Sequence, residues 1–295
     1  MSIKIISILI LIQFSVVTCK NKNTYQNLEK TILSKFEKID GDFALAFKNL
    51  DDHKLILINE NEIFHAASTI KTPVMIELFK QSKLGKISLK DTLLIKNQFK
   101  SIVDGSFFEL SEFEDSDANI YKKIGKYHTI YDLIYDMITI SSNFATNILI
   151  DYIGAKNITK SMKEIGAKNI NILRGVEDIK AYDLGLSNST SALDLLIIYE
   201  GLAKGEIIDY NSSLEMVRIL KNQKYDDIIP KYLPKKIEVA NKTGMITGVH
   251  HDSGIIYLKD GRKYILVILS KNMKNMENGT EMMARLSELI YKSLN

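Results

Sequence analysis

A single cysteine, Cys19, leaves this chain without any internal disulfide. Tryptophan is absent and proline occurs only three times, scarcities that carry no function by themselves. An excess of charge of one sign is lacking as well: the formal net charge is +3, and the lysines are scattered rather than gathered into a block. Nucleic-acid binding is therefore not expected, and the charges read as solvated faces. Beyond the N-terminus no apolar run approaches the length of a membrane span, and no repeat or low-complexity segment occurs. What is present is 295 residues, 45% of them hydrophobic and 25% charged. That suffices for a sizeable core in one large domain or two closely joined lobes. No feature asks for a partner chain, and a monomer is expected.

The first residues, "MSIKIISILILIQFSVVTC", carry one lysine, an apolar run from Ile5 to Ile12, and then small residues. This is the layout of a secretory signal, predicted over residues 1–19. "VVTC" resembles a bacterial lipobox, in which Cys19 carries a lipid and becomes the new N-terminus. The plain alternative is a cleaved signal with an incidental cysteine. Residues 20–27, "KNKNTYQN", suit a polar tether to a folded domain over 28–295. The protein is expected to be exported, either periplasmic or held at the membrane only through a lipid, whose several acyl chains would anchor firmly.

Periodicity predicts an amphipathic helix from Leu28 to Ile39, then a β-hairpin of "DFALAFKNL" and "HKLILINE" around "DDH". In "HAASTIKTPVMIELFK", Ala67, Ile70, Val74, Leu78 and Phe79 recur at helical spacing. From Thr129 to about Gly205 the rhythm is mainly helical. The exception is "AKNINILRGVEDIKAYDLGLSN", long enough to be a functional loop. A helix near Ser212 to Asn222 precedes three strands, "KIEVANKTG", "DSGIIYLKD" and "RKYILVILS", the last two joined at Asp260 and Gly261. "GTEMMARLSELIYKSL" predicts a closing helix. Strands at both ends with helices between predict an α+β class. An antiparallel sheet is flanked by terminal helices, with a helical lobe inserted over about 65–212 and a cleft at the boundary.

Ser68 and Lys71 stand one helical turn apart at the start of their helix, where residues so spaced share a face. One reading is a solvated first turn with Ser68 near the cap. The other is a nucleophile and the amine that activates it. With 23 serines and 35 lysines the Ser-x-x-Lys spacing arises about two or three times by chance. It occurs once in this chain, so alone it proves nothing. Two further motifs follow in order. Ser141-Ser142-Asn143 lies between two apolar helical runs, and Lys242-Thr243-Gly244 ends a strand.

Ser-x-x-Lys, Ser-x-Asn and Lys-Thr-Gly on a helix start, an inter-helix turn and a strand resemble the penicillin-recognising serine hydrolases, class A β-lactamases in particular. The resemblance runs from about Asp40 to Ser293. It implies a β-lactamase/transpeptidase-like fold and attack by Ser68 on a lactam carbonyl, with Lys71 as base. Cationic Lys242 nearby and burial would lower the Lys71 pKa. Backbone N–H groups at the helix start and after Lys242 would receive the oxyanion. The family implies that Ser141 relays a proton to the departing nitrogen. Lys242 and Thr243 would hold the substrate carboxylate, and Asn143 its side-chain amide, while Gly244 lets the strand approach closely. Asn147 matches a family asparagine and would brace the loop.

The resemblance further implies a deacylating water held by a glutamate in that loop, with an asparagine four residues on. Glu177, after Arg174, is the candidate, and Ala181 stands where the asparagine belongs. The family's Ser-Asp-Asn reads Ser-Ser-Asn. These departures leave acylation intact and put the weight on deacylation. A β-lactamase is expected, taking a small-molecule β-lactam. The alternatives are a D,D-peptidase or penicillin-binding hydrolase acting on cell-wall peptides, and a non-catalytic sensor. No cofactor is implied. His250, His251 and Asp252 sit together but lack further ligands at convincing spacing, so no metal is expected. A histidine lining the cleft or pairing with Asp252 is expected instead.

Overall fold

The computed structural model describes residues 25–294. The signal and lipid expectations, Cys19 included, lie outside the described residues. A helix over residues 25–36 (α1) leads into a hairpin of β1 (Asp42–Asn49) and β2 (Leu55–Ile58). The short β3 (Phe64–His65) runs into a 3-10 turn, Ala67–Ile70, and then α2 (Lys71–Lys83). There follow β4 (Thr92–Leu94), β5 (Phe99–Lys100), β6 (Phe107–Phe108), α3 (Ala118–Tyr121) and β7 (Tyr127–Thr129). Next come α4 (Ile130–Thr139), α5 (Asn143–Ile153), α6 (Ala155–Glu164), α7 (Ile179–Asp183) and β8 (Ser189–Thr190). After α8 (Ala192–Lys204) and α9 (Tyr210–Leu220), the chain returns to the sheet with β9 (Glu238–Ile246), β10 (Val249–Tyr257) and β11 (Lys263–Lys271), and α10 (Met276–Ser293) follows. No helix among the described residues is long and apolar enough to cross a membrane.

The five-stranded sheet has the order β2-β1-β11-β10-β9 and is antiparallel throughout, as the α+β expectation required. Side chains alternate across a strand, and here both faces are covered. Ala44, Ala46, Ile265, Val267 and Leu269 join the core beneath the helical lobe. Phe43, Leu45, Phe47, Tyr264, Leu266 and Ile268 face the other way, into a second core closed by α1 and α10. That is why "YILVILS" reads as a continuous apolar run rather than an alternating one.

The inserted lobe departs from the expected limits. Everything between Ile58 and Glu238 leaves the sheet, yet α8, inside the 65–212 span, packs directly on β1, β10 and β11. Lobe and sheet therefore share one core. Helix starts follow their caps: Thr129 Oγ1 accepts the Asp132 N–H, and Ser191 Oγ accepts the Asp194 N–H. Pro73 falls in the first turn of α2, where a missing N–H costs no helical bond.

Candidate active site

In a 3-10 turn residues i and i+3 eclipse. The Ala67–Ile70 turn therefore brings Ser68 and Lys71 to one side at its junction with α2. No side chain caps either element, so the plain capping reading of Ser68 does not hold. The Ser68 N–H makes no hydrogen bond among the described residues, while Thr69 N–H is bonded to Ala66 O at 3.0 Å. Strand β9 runs against this turn. A Cβ at Gly244 would fall 2.8 Å from the Ser68 amide nitrogen, so only glycine fits.

Lys71 is fully buried, and its Nζ donates to Ser141 O at 2.6 Å, Ser141 Oγ at 3.0 Å and Asn143 Oδ1 at 2.8 Å. Among the described residues it makes no hydrogen bond to Ser68 Oγ, because these three oxygens already occupy its protons. Catalytic contacts commonly tighten only when substrate arrives. Lys242, equally buried, donates to the same Ser141 Oγ at 3.0 Å and to Thr243 O at 3.0 Å. The Ser141 hydroxyl thus lies between two buried amines. Burial first, then the charge of Lys242, push Lys71 well below the usual lysine range against the pull of Asp115 and Glu177. Burial pushes Lys242 down to about 7, with Asp252 opposing.

Asn143 extends the line, its Nδ2 donating to Glu177 Oε1 at 2.6 Å. Its amide, expected to face substrate, is engaged on both sides by Lys71 and Glu177. Burial raises the Glu177 carboxyl, and the Asn143 bond opposes that rise. Ala181 is buried in α7 and brings no polar group to the carboxylate. Asn147 meets the loop as expected: its Nδ2 donates to Val176 O at 2.9 Å and its Oδ1 accepts the Val176 N–H at 2.6 Å. Ala67, Ser141 and Glu177 all have left-handed backbones, with φ of 46°, 58° and 62°. Each costs about 1–3 kcal/mol in a non-glycine residue, held in place by the surrounding bonds.

Two cavities of about 350 and 290 Å³ share Ser68 and Asn143, forming the cleft expected between sheet and lobe. The first is walled by Glu177, Arg174, His65, Tyr182 and Met245. The second is walled by Ser141, Thr243, Gly244, Asp227 and His250.

Sequence reasoning missed three contributors. Asp115 accepts the Asn143 N–H at 3.0 Å and the Phe144 N–H at 2.8 Å, at the positive end of α5. It supplies from a distant loop the carboxylate that Ser142 lacks, while Ser142 Oγ caps the helix by accepting the Ala145 N–H at 3.2 Å. Ser116 Oγ donates to Ser141 O at 3.0 Å. Asn188 closes the loop's neck: its Oδ1 accepts Leu173 N–H at 2.8 Å and its Nδ2 donates to Arg174 O at 3.0 Å. Only Asn188, beside a strand in a loop already suspected, carried a local signal. Asp115→Asn leaves one oxygen for two N–H donors. A loss of ~2 kcal/mol, or about 4–8 °C in Tm, is expected in a thermal melt.

The histidine expectation divides. His250 lines the cleft, its Nδ1 2.8 Å from Thr280 Oγ1. Neither histidine pairs with Asp252, whose oxygens instead accept from Asn241 Nδ2 at 2.9 Å and Ile229 N–H at 3.0 Å. Strand alternation turns His251 to the opposite face, while His250, on the same face as Asp252, is engaged by Thr280. Among the described residues no group of acidic, cysteine or histidine side chains is arranged to hold a metal.

With this geometry in hand, the model of the beta-lactamase enzyme family matches residues 26–294. The chain belongs to that family. Beta-lactamase BRO-1 of Moraxella catarrhalis is 26% identical over 290 residues, covering 93% of this chain and 87% of its own length. Beta-lactamase CARB-4 of Pseudomonas aeruginosa is 22% identical over 72% of this chain and 74% of its own. Among solved structures, a β-lactamase from Chitinophaga pinensis superposes with a TM-score of 0.80 at 22% identity, over 91% of this chain and 100% of that one. PBP-A superposes at 0.79 with 27% identity, over 91% and 96%. A mutant of PBP-A is known as an acyl-enzyme with penicillin G. The fold is thus β-lactamase/transpeptidase-like, and the chain is a serine hydrolase of the class A β-lactamase type. In this chain the Ser-Ser-Asn turn is held by Asp115, and Ala181 is buried.

Proposed function

We propose that this β-lactamase-family enzyme opens β-lactam amides through an acyl-enzyme on Ser68. The observation that carries the proposal is the Ser141 hydroxyl held between the two buried amines Lys71 and Lys242, beside Ser68 in the cleft. Lys71, its pKa lowered, takes the Ser68 proton as Oγ attacks the carbonyl carbon. The free Ser68 N–H, with an amide from β9, receives the oxyanion. The carbon–nitrogen bond breaks as the proton passes from Lys71 through Ser141 to the departing nitrogen. Charged Lys242 and the Thr243 hydroxyl hold the substrate carboxylate. Glu177 then takes a proton from water as its oxygen attacks the ester carbonyl carbon; the bond from that carbon to Ser68 Oγ breaks, and the proton held by Glu177 returns to Ser68 Oγ. No cofactor enters.

The buried Ala181 favours a second reading, a penicillin-binding hydrolase of cell-wall peptides that acylates and then stalls, because α7 offers no amide to hold the water. Intact-mass measurement after mixing with penicillin G decides between them. The expected course is an adduct of one penicillin that forms and then decays while hydrolysed product accumulates in excess of enzyme. A permanent adduct supports the second reading, and no adduct overturns both. The same spectra test the proposal that the N-terminal segment is an export signal cut so as to leave a lipidated Cys19 first, since a diacylglyceryl group adds its own mass to the mature N-terminus.

A further inference from the structure

One pair of histidines near the nucleophile takes no part in acylation or deacylation as proposed. His65 ends β3, two residues before Ala67, and Ala67 is followed directly by Ser68. The Ala67 N–H donates to His65 Nδ1 at 3.0 Å, so that nitrogen bears no hydrogen and the proton sits on Nε2. Ala67 itself is held at a φ of 46°, where alanine gains nothing from its side chain. The carbonyl oxygen of His65 is tied as well, accepting from His251 Nε2 at 2.8 Å. His251 Nδ1 accepts the Ser270 N–H at 3.1 Å, which fixes its tautomer as the donor to His65. A line of bonds therefore runs from β11 through the fully buried His251 on β10 to the residue that fastens the nucleophile's turn.

We propose that His65 is a positioning residue: its neutral imidazole pins the left-handed Ala67, so aiming the Ser68 hydroxyl and N–H, and protonation of that ring releases the turn. A protonated ring would present a donor to the Ala67 N–H, and the bond would be lost. The groups facing His65 are Arg174 and Glu177 of the loop, Asp178 beside them, Tyr182 of α7, whose ring meets it edge-on at 6.1 Å, and His251 behind. Burial and then the Arg174 charge hold the imidazole pKa below its ordinary value. The pin is therefore in place at neutral pH and fails as pH falls through that lowered value.

The effect on rate rests on the acyl-enzyme reading; the effect on the turn does not. The test uses wild-type, His65→Ala and His65→Asn proteins. Asparagine's oxygen accepts the N–H two residues on in Asx turns but does not titrate. Hydrogen exchange of the Ala67 amide should accelerate about tenfold or more in His65→Ala, and acylation by penicillin G should slow about tenfold, the worth of one neutral hydrogen bond. His65→Asn should restore both to within about threefold and abolish the loss of Ala67 amide protection at acid pH. Unchanged Ala67 exchange in His65→Ala, or an acid-side loss of Ala67 amide protection that persists in His65→Asn, overturns the proposal. Wild-type protein that takes no penicillin would refute the β-lactam reading instead, and amide exchange would still decide the histidine's role.

Discussion

Lys71→Met should slow acylation of Ser68 by about a thousandfold or more, ~4 kcal/mol, while moving Tm by no more than about 4 °C. The two halves of this expectation have separate causes. Methionine matches the length of the lysine stem but has no lone pair to take the Ser68 proton, so the base is gone. Stability survives because the oxygens that Lys71 serves have other partners. Ser141 O still accepts from Ser116 Oγ at 3.0 Å, and Ser141 Oγ still accepts from Lys242 at 3.0 Å. Only Asn143 Oδ1 loses its donor. Against that loss, removing a fully buried amine relieves the cost of desolvating its charge.

The pH dependence follows with a definite sign. Lys71 acts as the neutral amine, so acylation should rise as pH climbs through its lowered pKa. Lys242 acts charged, so acylation should fall as pH passes about 7, where that amine discharges. In Lys71→Met the rise set by that amine disappears and the falling limb remains. Stopped-flow acylation across pH, beside a thermal melt, checks both halves. A variant that acylates at the wild-type rate would show that Lys71 is not the base for Ser68, and one that unfolds would show that the buried amine is needed to hold the turn at Ser141.

Why Ser68, Lys71, Ser141 and Lys242 were legible from sequence, and Asp115 was not, comes down to range. Each motif residue is tied to a local element: a 3-10 turn opening a helix, a loop between helices, and a strand, which the structure carries on to Ile246 so that Lys242 sits at its middle and not at its expected end. Spacing and element type could therefore be read together. Asp115 reaches the α5 start from a loop 28 residues earlier, and nothing local marks it. The missing aspartate of the Ser-Ser-Asn turn was visible, but its replacement from afar was a fact of tertiary packing. The sheet was legible in class but not in detail, because two-sided burial erases the alternation that distinguishes faces. For the histidines beside Asp252 the sequence left two roles, lining the cleft or pairing with that carboxylate. His250 lines the cleft and bonds Thr280, the strand turns His251 to the other face, and β9 supplies Asn241 to Asp252. Asn143 was read as a substrate ligand, and the fold has it bridging Lys71 and the loop carboxylate.

That bridge makes Glu177→Gln the sharpest probe of the second half-reaction. The neutral amide keeps an oxygen to accept from Asn143 Nδ2, so the 2.6 Å contact and the strained turn at residue 177 have no reason to collapse. What is lost is the carboxylate that can take a proton from water. Acylation should stay within about threefold of wild type, since Lys71 and Ser141 are untouched, while deacylation should slow about a thousandfold. The acyl-enzyme then accumulates and is seen as a stable mass adduct. Burial raises the Glu177 carboxyl, so in the wild type turnover should decline on the acid side from a pH higher than an ordinary glutamate would give. That limb should vanish from the residual deacylation of the variant. With Ala181 contributing no amide, Asn143 is the polar side chain bonded to Glu177 that is positioned to orient the carboxylate. Asn143→Ala should accordingly slow deacylation as well, and more than it slows acylation. If Glu177→Gln deacylates as fast as wild type, the water is activated elsewhere and the loop carboxylate serves only to hold Asn143.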